Sequence, residues 1–474
     1  MNRACLAKDT NLHEQEQHAS SLPTLQRDIR PIKNNFVRMK LSCKILVILV
    51  LILSSISTIY GQDKKQNYGK APDEIFPYDK FVKPYKYHFL IPLQFYGAGR
   101  ELKPPTDLKE VRIGFLGPLS GSIMVPQGQQ MLQGATLAIE EANKNGGYKG
   151  LPFKLMIHND VGLWGAAANE VVKMDDEKVW AWLGSIDDIV SHVALRATLK
   201  LEIYMICTGD PDPTFTETNI PWTLRVISDD RQSAYALVNQ VYVKDGLSRV
   251  AVIRTGARYG RVAFKMFSEN ATRVGHPIII EERFTDGETD FKSQLERIKK
   301  TSPDAILIWG NAKESALILQ QARSIGLNQP VYGSDRMVNP EFLKIAGKLA
   351  DGIVTTCQYN PDSDNPKLKA FQASYLKRFG LEPDVFAAHA YDGMNLLIAA
   401  INKVGLNRVL IRDILAERKT FQGYPGVTGN IVLDGSWNEI RDIFMAKVKN
   451  GKFEFSPAPP LDFKNMHRTE TGTY

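Results

Sequence analysis

The residues of this chain best suited to chemistry are carboxylates and glycines that stand just past short apolar runs. These stretches read Gly117-Pro118-Leu119-Ser120-Gly121, Asp160, Gly184-Ser185-Ile186-Asp187-Asp188, Thr208-Gly209-Asp210-Pro211-Asp212, Arg258-Tyr259-Gly260, Gly310-Asn311 and Gly333-Ser334-Asp335-Arg336. Glycine lets backbone N–H groups come close to a ligand, and a helix that starts there adds its positive dipole end. The set describes a polar cleft rimmed with carboxylates, fit to recognise a small molecule. Each aspartate also has a purely structural use. Asp187 or Asp188, before a helix from Ile189, suits an N-cap, while Asp210 and Asp212, flanked by Pro211 and Pro213, suit a turn.

Catalytic patterns are missing. No Gly-x-Gly-x-x-Gly opens a helix after the first strand, and no Walker-type loop, Gly-x-Ser-x-Gly or His-Glu-x-x-His occurs. The eight histidines are scattered; His158, His192 and His389 have no second histidine at ligand spacing. Cys207 and Cys357, the two cysteines after residue 43, form no Cys-x-x-Cys pair, and they read either as a disulfide or as two buried small apolar side chains. No cofactor and no metal is expected. An enzyme that uses the aspartates as acid and base would need a nucleophile beside a base, which the sequence does not offer.

The elements that must hold these strand ends alternate. Short apolar runs at Val111–Leu116, Phe153–Ile157, Val179–Leu183, Tyr204–Cys207, Val250–Ile253, Ile278–Glu281, Ala305–Trp309, Val331–Gly333 and Ile353–Thr356 are separated by segments of helical period, among them Met131–Asn143, Gln232–Val243, Val262–Val274, Glu314–Ile325 and Glu341–Leu349. This is the signature of parallel strands joined by crossover helices, an α/β fold, and ligands of such sheets bind beyond the carboxyl ends of the strands. Size favours two sheets over one, because single cores stop growing near roughly 250–300 residues. After Cys357 come longer helices, then Asn450-Gly451 between two strands, a two-residue hairpin signal.

The net charge of +7 is concentrated at the start of the chain: residues 1–61 hold eight Lys/Arg against four Asp/Glu, leaving 51 basic and 48 acidic residues elsewhere. No basic block with interleaved aromatics remains, so no nucleic-acid partner is expected. Met39 to Gly61 has the parts of a signal peptide, with Lys40 and Lys44, nine aliphatics from Ile45 to Leu53, and small residues before a cut after Gly61. An uncleaved 45–60 segment acting as a membrane tether is the weaker reading, since a span needs roughly 20 apolar residues. Residues 1–38 are expected to precede the true start, and 62–108, rich in Pro and Tyr, to form an N-terminal extension lying on the main body.

Val111-Arg112-Ile113-Gly114-Phe115-Leu116-Gly117-Pro118, Gly134-Ala135, Glu141-Ala142-Asn143-Lys144-Asn145-Gly146-Gly147, Pro221-Trp222-Thr223-Leu224-Arg225, Tyr259-Gly260, Asp290-Phe291 and Gln321-Ala322-Arg323-Ser324-Ile325-Gly326-Leu327 follow one another in an order that resembles the leucine/isoleucine/valine-binding family of periplasmic binding proteins. The resemblance spans about 110–455 and implies a bilobed type I fold, with two Rossmann-like parallel-sheet lobes joined by three hinge strands. Lobe 1 would comprise 109–228 and 358–428, lobe 2 229–357 and 429–456, with 457–474 as a tail. It implies an exported, periplasmic monomer, not an enzyme, that captures a small polar solute (amino acid, amide or amine) and presents it to the membrane subunits of an ABC importer. A ligand-sensing or docking subunit of an envelope complex is the alternative. The family's ligand positions fall here at Gln127, Ile186, Asp188, Gly209, Asp210, Pro211, Asp230, Tyr259, Asn311 and Asp335. Asp230 and Asp335 stand where relatives hold an ammonium group, and Tyr259 where the second lobe closes over the ligand. Asp188 replaces a serine that binds the solute's carboxylate, Pro211 a threonine, and Asn311 a common aromatic. Two carboxylates at 4 Å repel by about 4 kcal/mol at an effective dielectric near 20. The solute is therefore expected to lack a free α-carboxylate at that place, or to be cationic.

Overall fold

The computed structural model describes residues 94–417 and 423–459. The segments expected at 1–38 and 39–61, the extension before Gln94 and the tail after residue 459 lie outside the described residues. The first sheet is parallel throughout, in the order β2-β1-β3-β4-β5, from β1 (Val111–Gly117), β2 (Phe153–Asn159), β3 (Ala181–Leu183), β4 (Tyr204–Cys207) and β5 (Thr223–Arg225). Its connections are α1 (Val125–Lys144), α2 (Trp164–Asp176), α3 (Asp188–Leu201) and the short α4 (Pro213–Glu217). The central strands β3 and β4 are buried on both faces, so they are apolar runs without alternation, whereas edge strand β2 exposes Lys154 and Ile157.

The second sheet has seven strands in the order β14-β13-β10-β9-β8-β6-β7. Its parallel part is β6 (Val250–Thr255), β7 (Ile280–Phe284), β8 (Ala305–Trp309), β9 (Val331–Gly333) and β10 (Val354–Cys357), connected through α6 (Arg258–Arg273), α7 (Lys292–Lys300), α8 (Ala312–Ser324) and α9 (Pro340–Ala346), with α5 (Asp230–Val238) leading in. The hairpin anticipated at Asn450-Gly451 supplies β13 (Phe444–Lys449) and β14 (Lys452–Pro457), and β13 runs antiparallel to β10. Between the sheets' contributions lie α10 (Pro366–Phe379), α11 (Val385–Val404), α12 (Arg408–Ala416) and the small pair β11 (Tyr424–Pro425) and β12 (Asn430–Ile431).

Helices α1 and α11 cover one face of the first sheet, with Met131, Ala135, Leu397 and Ile401 packed with Phe115 and Ile206. Helices α2 and α3 cover the other, with Val171 and Val190 packed with Trp182 and Met205. Gly134 sets the approach of α1 to α11, since a Cβ there would lie 2.1 Å from the carbonyl oxygen of Ala387. Among the described residues of the extension, Phe95 stacks edge-on against Trp222, with ring centroids 5.2 Å apart, and the Gly99 carbonyl accepts from Asn407 Nδ2 at 2.8 Å.

Most helices begin earlier than the apolar period indicates. Helix α1 starts at Val125 rather than Met131, because Pro126, Gln127 and Gly128 build a first turn with no continuous apolar stripe. Past Val238, α5 widens into a π-helix, Asn239–Lys244. The chain passes from one sheet to the other three times, through 226–229, 358–365 and 432–443. A buried polar hub ties these passages together. Arg225 Nε donates to Asn438 Oδ1 at 2.8 Å, its Nη2 pairs with Asp229 at 3.4 Å, and Gln232 Nε2 donates to the Glu439 carbonyl at 2.8 Å.

Candidate functional site

The strand ends of both sheets face one another, and side chains from the two lobes touch there. Arg258, at the start of α6 in the second lobe, donates from Nε to Asp212 Oδ2 at 2.6 Å and from Nη2 to Thr214 Oγ1 at 2.8 Å, both in the first lobe. Burial alone would raise the Asp212 carboxyl, but bonding to His192, the Arg258 charge and bonds from Thr214 outweigh it and hold the group well below its ordinary value.

The two alternatives for the aspartates after β3 separate cleanly. Asp187 is the N-cap of α3, accepting from the backbone N–H groups of Ile189 and Val190 at 2.9 Å each. Asp188, the first helical residue, is 2% exposed, and neither of its oxygens has a hydrogen-bond partner. Burial pushes its carboxyl well above the ordinary range, and the like charges of Asp210 and Asp212 push it further. The same division recurs at α5. Asp229 caps the helix by accepting from Gln232 N–H at 3.0 Å, whereas buried Asp230 keeps both oxygens unpartnered and is raised by burial and by Asp335.

After β4, Gly209 sits where a Cβ would meet the Ser185 carbonyl oxygen at 2.9 Å and Ile186 Cγ1 at 3.0 Å, so only glycine lets the two loops come together. Asp210 forms a turn: its Oδ1 accepts from the Asp212 N–H at 2.8 Å, while its Oδ2 is buried without a partner. Pro211 is buried beside it, and Ile186 is fully buried. Gln127, on the first turn of α1, is buried with its Oε1 unpartnered.

The second lobe's residues form one hydrogen-bonded group. Tyr259 donates its hydroxyl to Asp335 Oδ1 at 2.7 Å, and Gln358 Nε2 donates to Asp335 Oδ2 at 2.7 Å. Asn311, at the N-cap position of α8 but without a side-chain capping bond, accepts on Oδ1 from Arg336 Nη1 at 3.0 Å, and the Arg336 guanidinium lies over the Tyr259 ring, 3.5 Å from its centroid. Arg336 also acts electrostatically on Asp188 and Asp230.

The structure therefore joins Tyr259 to Asp335 directly and Asn311 to Tyr259 through Arg336, and it brings Asp188 within range of the charges of Asp210 and Asp230. Pro211 joins them through its carbonyl, which accepts from the Asp230 N–H at 2.9 Å, whereas among the described residues Gln127 Oε1 has no hydrogen-bond partner. Sequence reasoning passed over Arg258, Thr214, Gln358 and above all Arg336. The only signal for Arg336 was its place in the stretch Gly333-Ser334-Asp335-Arg336, directly after a ligand-position acid. Asp160 is different from the others: Ser185 Oγ and the Gly162 N–H satisfy it at 2.9 and 2.8 Å, making it a brace for the loops.

His158 is held between Glu170 and Glu177 at 2.7 and 3.0 Å, away from the cleft, and buried His389 is pushed down to about 3 by burial and by the Arg441 charge. Cys207 and Cys357 are free, buried thiols at the ends of β4 and β10, each pushed up to about 12 mainly by burial. Among the described residues, no cluster of three or more His, Cys, Asp or Glu side chains is suited to hold a metal ion.

Two α/β lobes, three connecting passages and a buried polar cleft at the facing strand ends define a solute receptor of the bilobed type I fold. Residues 110–452 match the family model described as periplasmic binding protein, and the chain belongs to that family. Its members are substrate-binding proteins of transporters, not enzymes. A Leu/Ile/Val-binding protein homologue from Brucella abortus is 26% identical over 360 residues, covering 74% of this chain and 94% of that protein. Among solved structures, the branched-chain amino acid transporter substrate binding protein of Streptococcus pneumoniae, in complex with isoleucine, superposes with a TM-score of 0.68 at 27% identity, over 74% of this chain and all of that one. A leucine binding protein from Thermotoga maritima gives the same TM-score and identity over 74% and 99% of the two chains. The resemblance read from the ordered motifs is thus borne out.

Proposed function

We propose that this protein captures a small polar solute (amino acid, amide or amine) between lobes formed by 109–228 with 358–428 and by 229–357 with 429–456, and presents it to the membrane subunits of an ABC importer. The solute contacts are assigned to Gln127, Ile186, Asp188, Gly209, Asp210, Pro211, Asp230, Tyr259, Asn311 and Asp335. One observation carries this reading. Asp188 and Asp230, from opposite lobes, are both buried with unpartnered carboxylates and feel each other's charge. Burying an ionisable group without a partner is costly, and a protein tolerates it where a ligand supplies the missing bonds. Closure follows as a hinge motion in which a solute touching both lobes favours the closed state. The protein is expected to be an exported periplasmic monomer, with 39–61 as its cleaved signal peptide.

The test is a thermal-shift screen of the protein from Gln62 onward against amino acids, amines, amides, alcohols and small acids, with calorimetry on the hits. A solute at 100 times its dissociation constant adds roughly 2.7 kcal/mol of stability, well within the resolution of a melting curve. A saturable one-to-one hit is the expected result; silence from every class would overturn solute capture.

A further inference from the structure

Arg336 lies at the focus of the cleft without being tied down in the way structural arginines are. Its side chain leaves the turn after β9 in the second lobe and places its guanidinium 3.5 Å from the centroid of the Tyr259 ring. Nη1 donates to Asn311 Oδ1 at 3.0 Å and lies 3.9 Å from Met124 Sδ, on the residue that precedes α1 in the first lobe. Asp335, oriented by Tyr259 and Gln358, adds a carboxylate close by, and the unpartnered carboxylates of Asp188 and Asp230 complete the surroundings. Two of the ten positions assigned to solute contact, Tyr259 and Asn311, therefore touch this side chain, and three more, Asp188, Asp230 and Asp335, act on its charge.

An aromatic face, an amide oxygen and several carboxylates are the groups that recognise a planar cation bearing N–H donors. Comparison with Arg225 shows how loosely the seat holds Arg336. Arg225 is fully buried and bonded through Nε and both Nη groups to Asn438, Asp229 and the carbonyls of Asp210 and Asp212. Arg336 is half-buried, and among the described residues its Nε and Nη2 have no bond, although Asp188 and Asp230 have four oxygens without partners. An arginine placed for stability would be expected to pair bidentately with such carboxylates. Here donors and acceptors stay apart, so a competing cation can make bonds to Asp188 and Asp230 that Arg336 does not make.

We propose that the cleft is a guanidinium seat filled in cis by Arg336, and that the solutes it admits are organic cations of the guanidinium or amidinium type, which displace that side chain. The proposal rests on the cleft being the solute site and narrows the solute class. Anions are disfavoured, since one arginine is outnumbered by Asp188, Asp210, Asp230 and Asp335. A tethered group competes at the high effective concentration that linkage confers, so a simple cation binds poorly until Arg336 is removed.

The experiment is calorimetric titration of methylguanidinium into the wild type and into Arg336→Ala at millimolar concentrations. The variant should bind one equivalent, with the wild type about 100-fold weaker, within the range that linking two groups provides. Absence of binding by a cooperatively melting Arg336→Ala protein overturns the proposal, as does equal binding to both proteins. Adding Asp230→Asn to Arg336→Ala should weaken binding at least 10-fold, and unchanged affinity would place the cation elsewhere and likewise overturn it. If Arg336→Ala does not fold, Arg336→Gln keeps a polar side chain of similar reach without the charge and takes its place in each titration. A wild type silent towards every solute, beside a variant that binds methylguanidinium, would remove solute capture and leave the seat standing.

Discussion

Asp229 and Asp230 are neighbours in sequence, both fully buried, and they live by opposite rules. Asp229 belongs to the hinge hub: it caps α5, pairs with Arg225 and shares Gln232, whose side chain reaches the 432–443 passage. Asp230 points the other way, into the cleft, with neither oxygen bonded. The hinge satisfies its polar groups within the protein, so it can be buried and still define a geometry. The cleft leaves its groups unsatisfied and so keeps the capacity to bond with something else. The difference teaches that burial of a charged group marks structure when partners are present and function when they are missing.

The comparison is broken most severely at the hub. Arg225→Met removes the cation from the buried pair with Asp229, a change that typically costs about 3–5 kcal/mol. Denaturant melts should show that loss at any neutral pH, together with weaker coupling of the lobes. A loss under about 1 kcal/mol would mean that the hub is not what holds the three passages together. Next in size is the contact that joins the lobes at the cleft rim. Arg258→Met breaks the charge-assisted bonds to Asp212 and Thr214 and should cost about 2 kcal/mol, less than at the hub because Arg258 keeps 28% of its side chain exposed. Asp212 is held below its ordinary value, so its contribution is present above pH 3.8 and lost as the pH falls through the lowered value. The penalty of Arg258→Met should accordingly shrink in strong acid, and an equally large penalty with Asp212 already replaced by Asn would contradict the pairing.

Much of this could be read from residue order. All nine apolar runs became strands, because β3, β4 and β8 are buried on both faces and leave uninterrupted aliphatic signatures. The three-residue β5 leaves no such signature, since Thr223, Leu224 and Arg225 show no period of their own. The strand-end aspartates were visible as a set, but which member of each pair caps a helix was not: Asp187 against Asp188, and Asp229 against Asp230, are distinguished only by where the backbone turns. Arg336 was legible only as the last residue of a strand-end stretch, for a related reason. Its role depends on a side chain reaching across to the Tyr259 ring and Asn311, contacts made between residues 77 and 25 positions apart. Counting acids alone gave the cleft a more negative character than it has, because the cation that partly offsets them comes from the protein itself.

The smallest effect sharpens the contrast most, because its sign is opposite. Replacing Asp229 should destabilise the protein, whereas Asp230→Asn should stabilise the solute-free protein at neutral pH, by about 1 kcal/mol, at the low end for replacing buried ionic groups. Asp230 is raised by burial and then by Asp335, so the folded state binds its proton more tightly than the unfolded chain does. Its contribution is fully present below the ordinary value of 3.8 and is lost as the pH rises through the raised value. The gain from Asp230→Asn should therefore be absent near pH 3 and grow towards pH 7, as read from melting temperatures across that range. A variant less stable than the wild type at pH 7 would mean that Asp230 is already paired in the solute-free protein, with Arg336 as the nearest candidate, and the line drawn between hinge and cleft would then run through Asp188 alone.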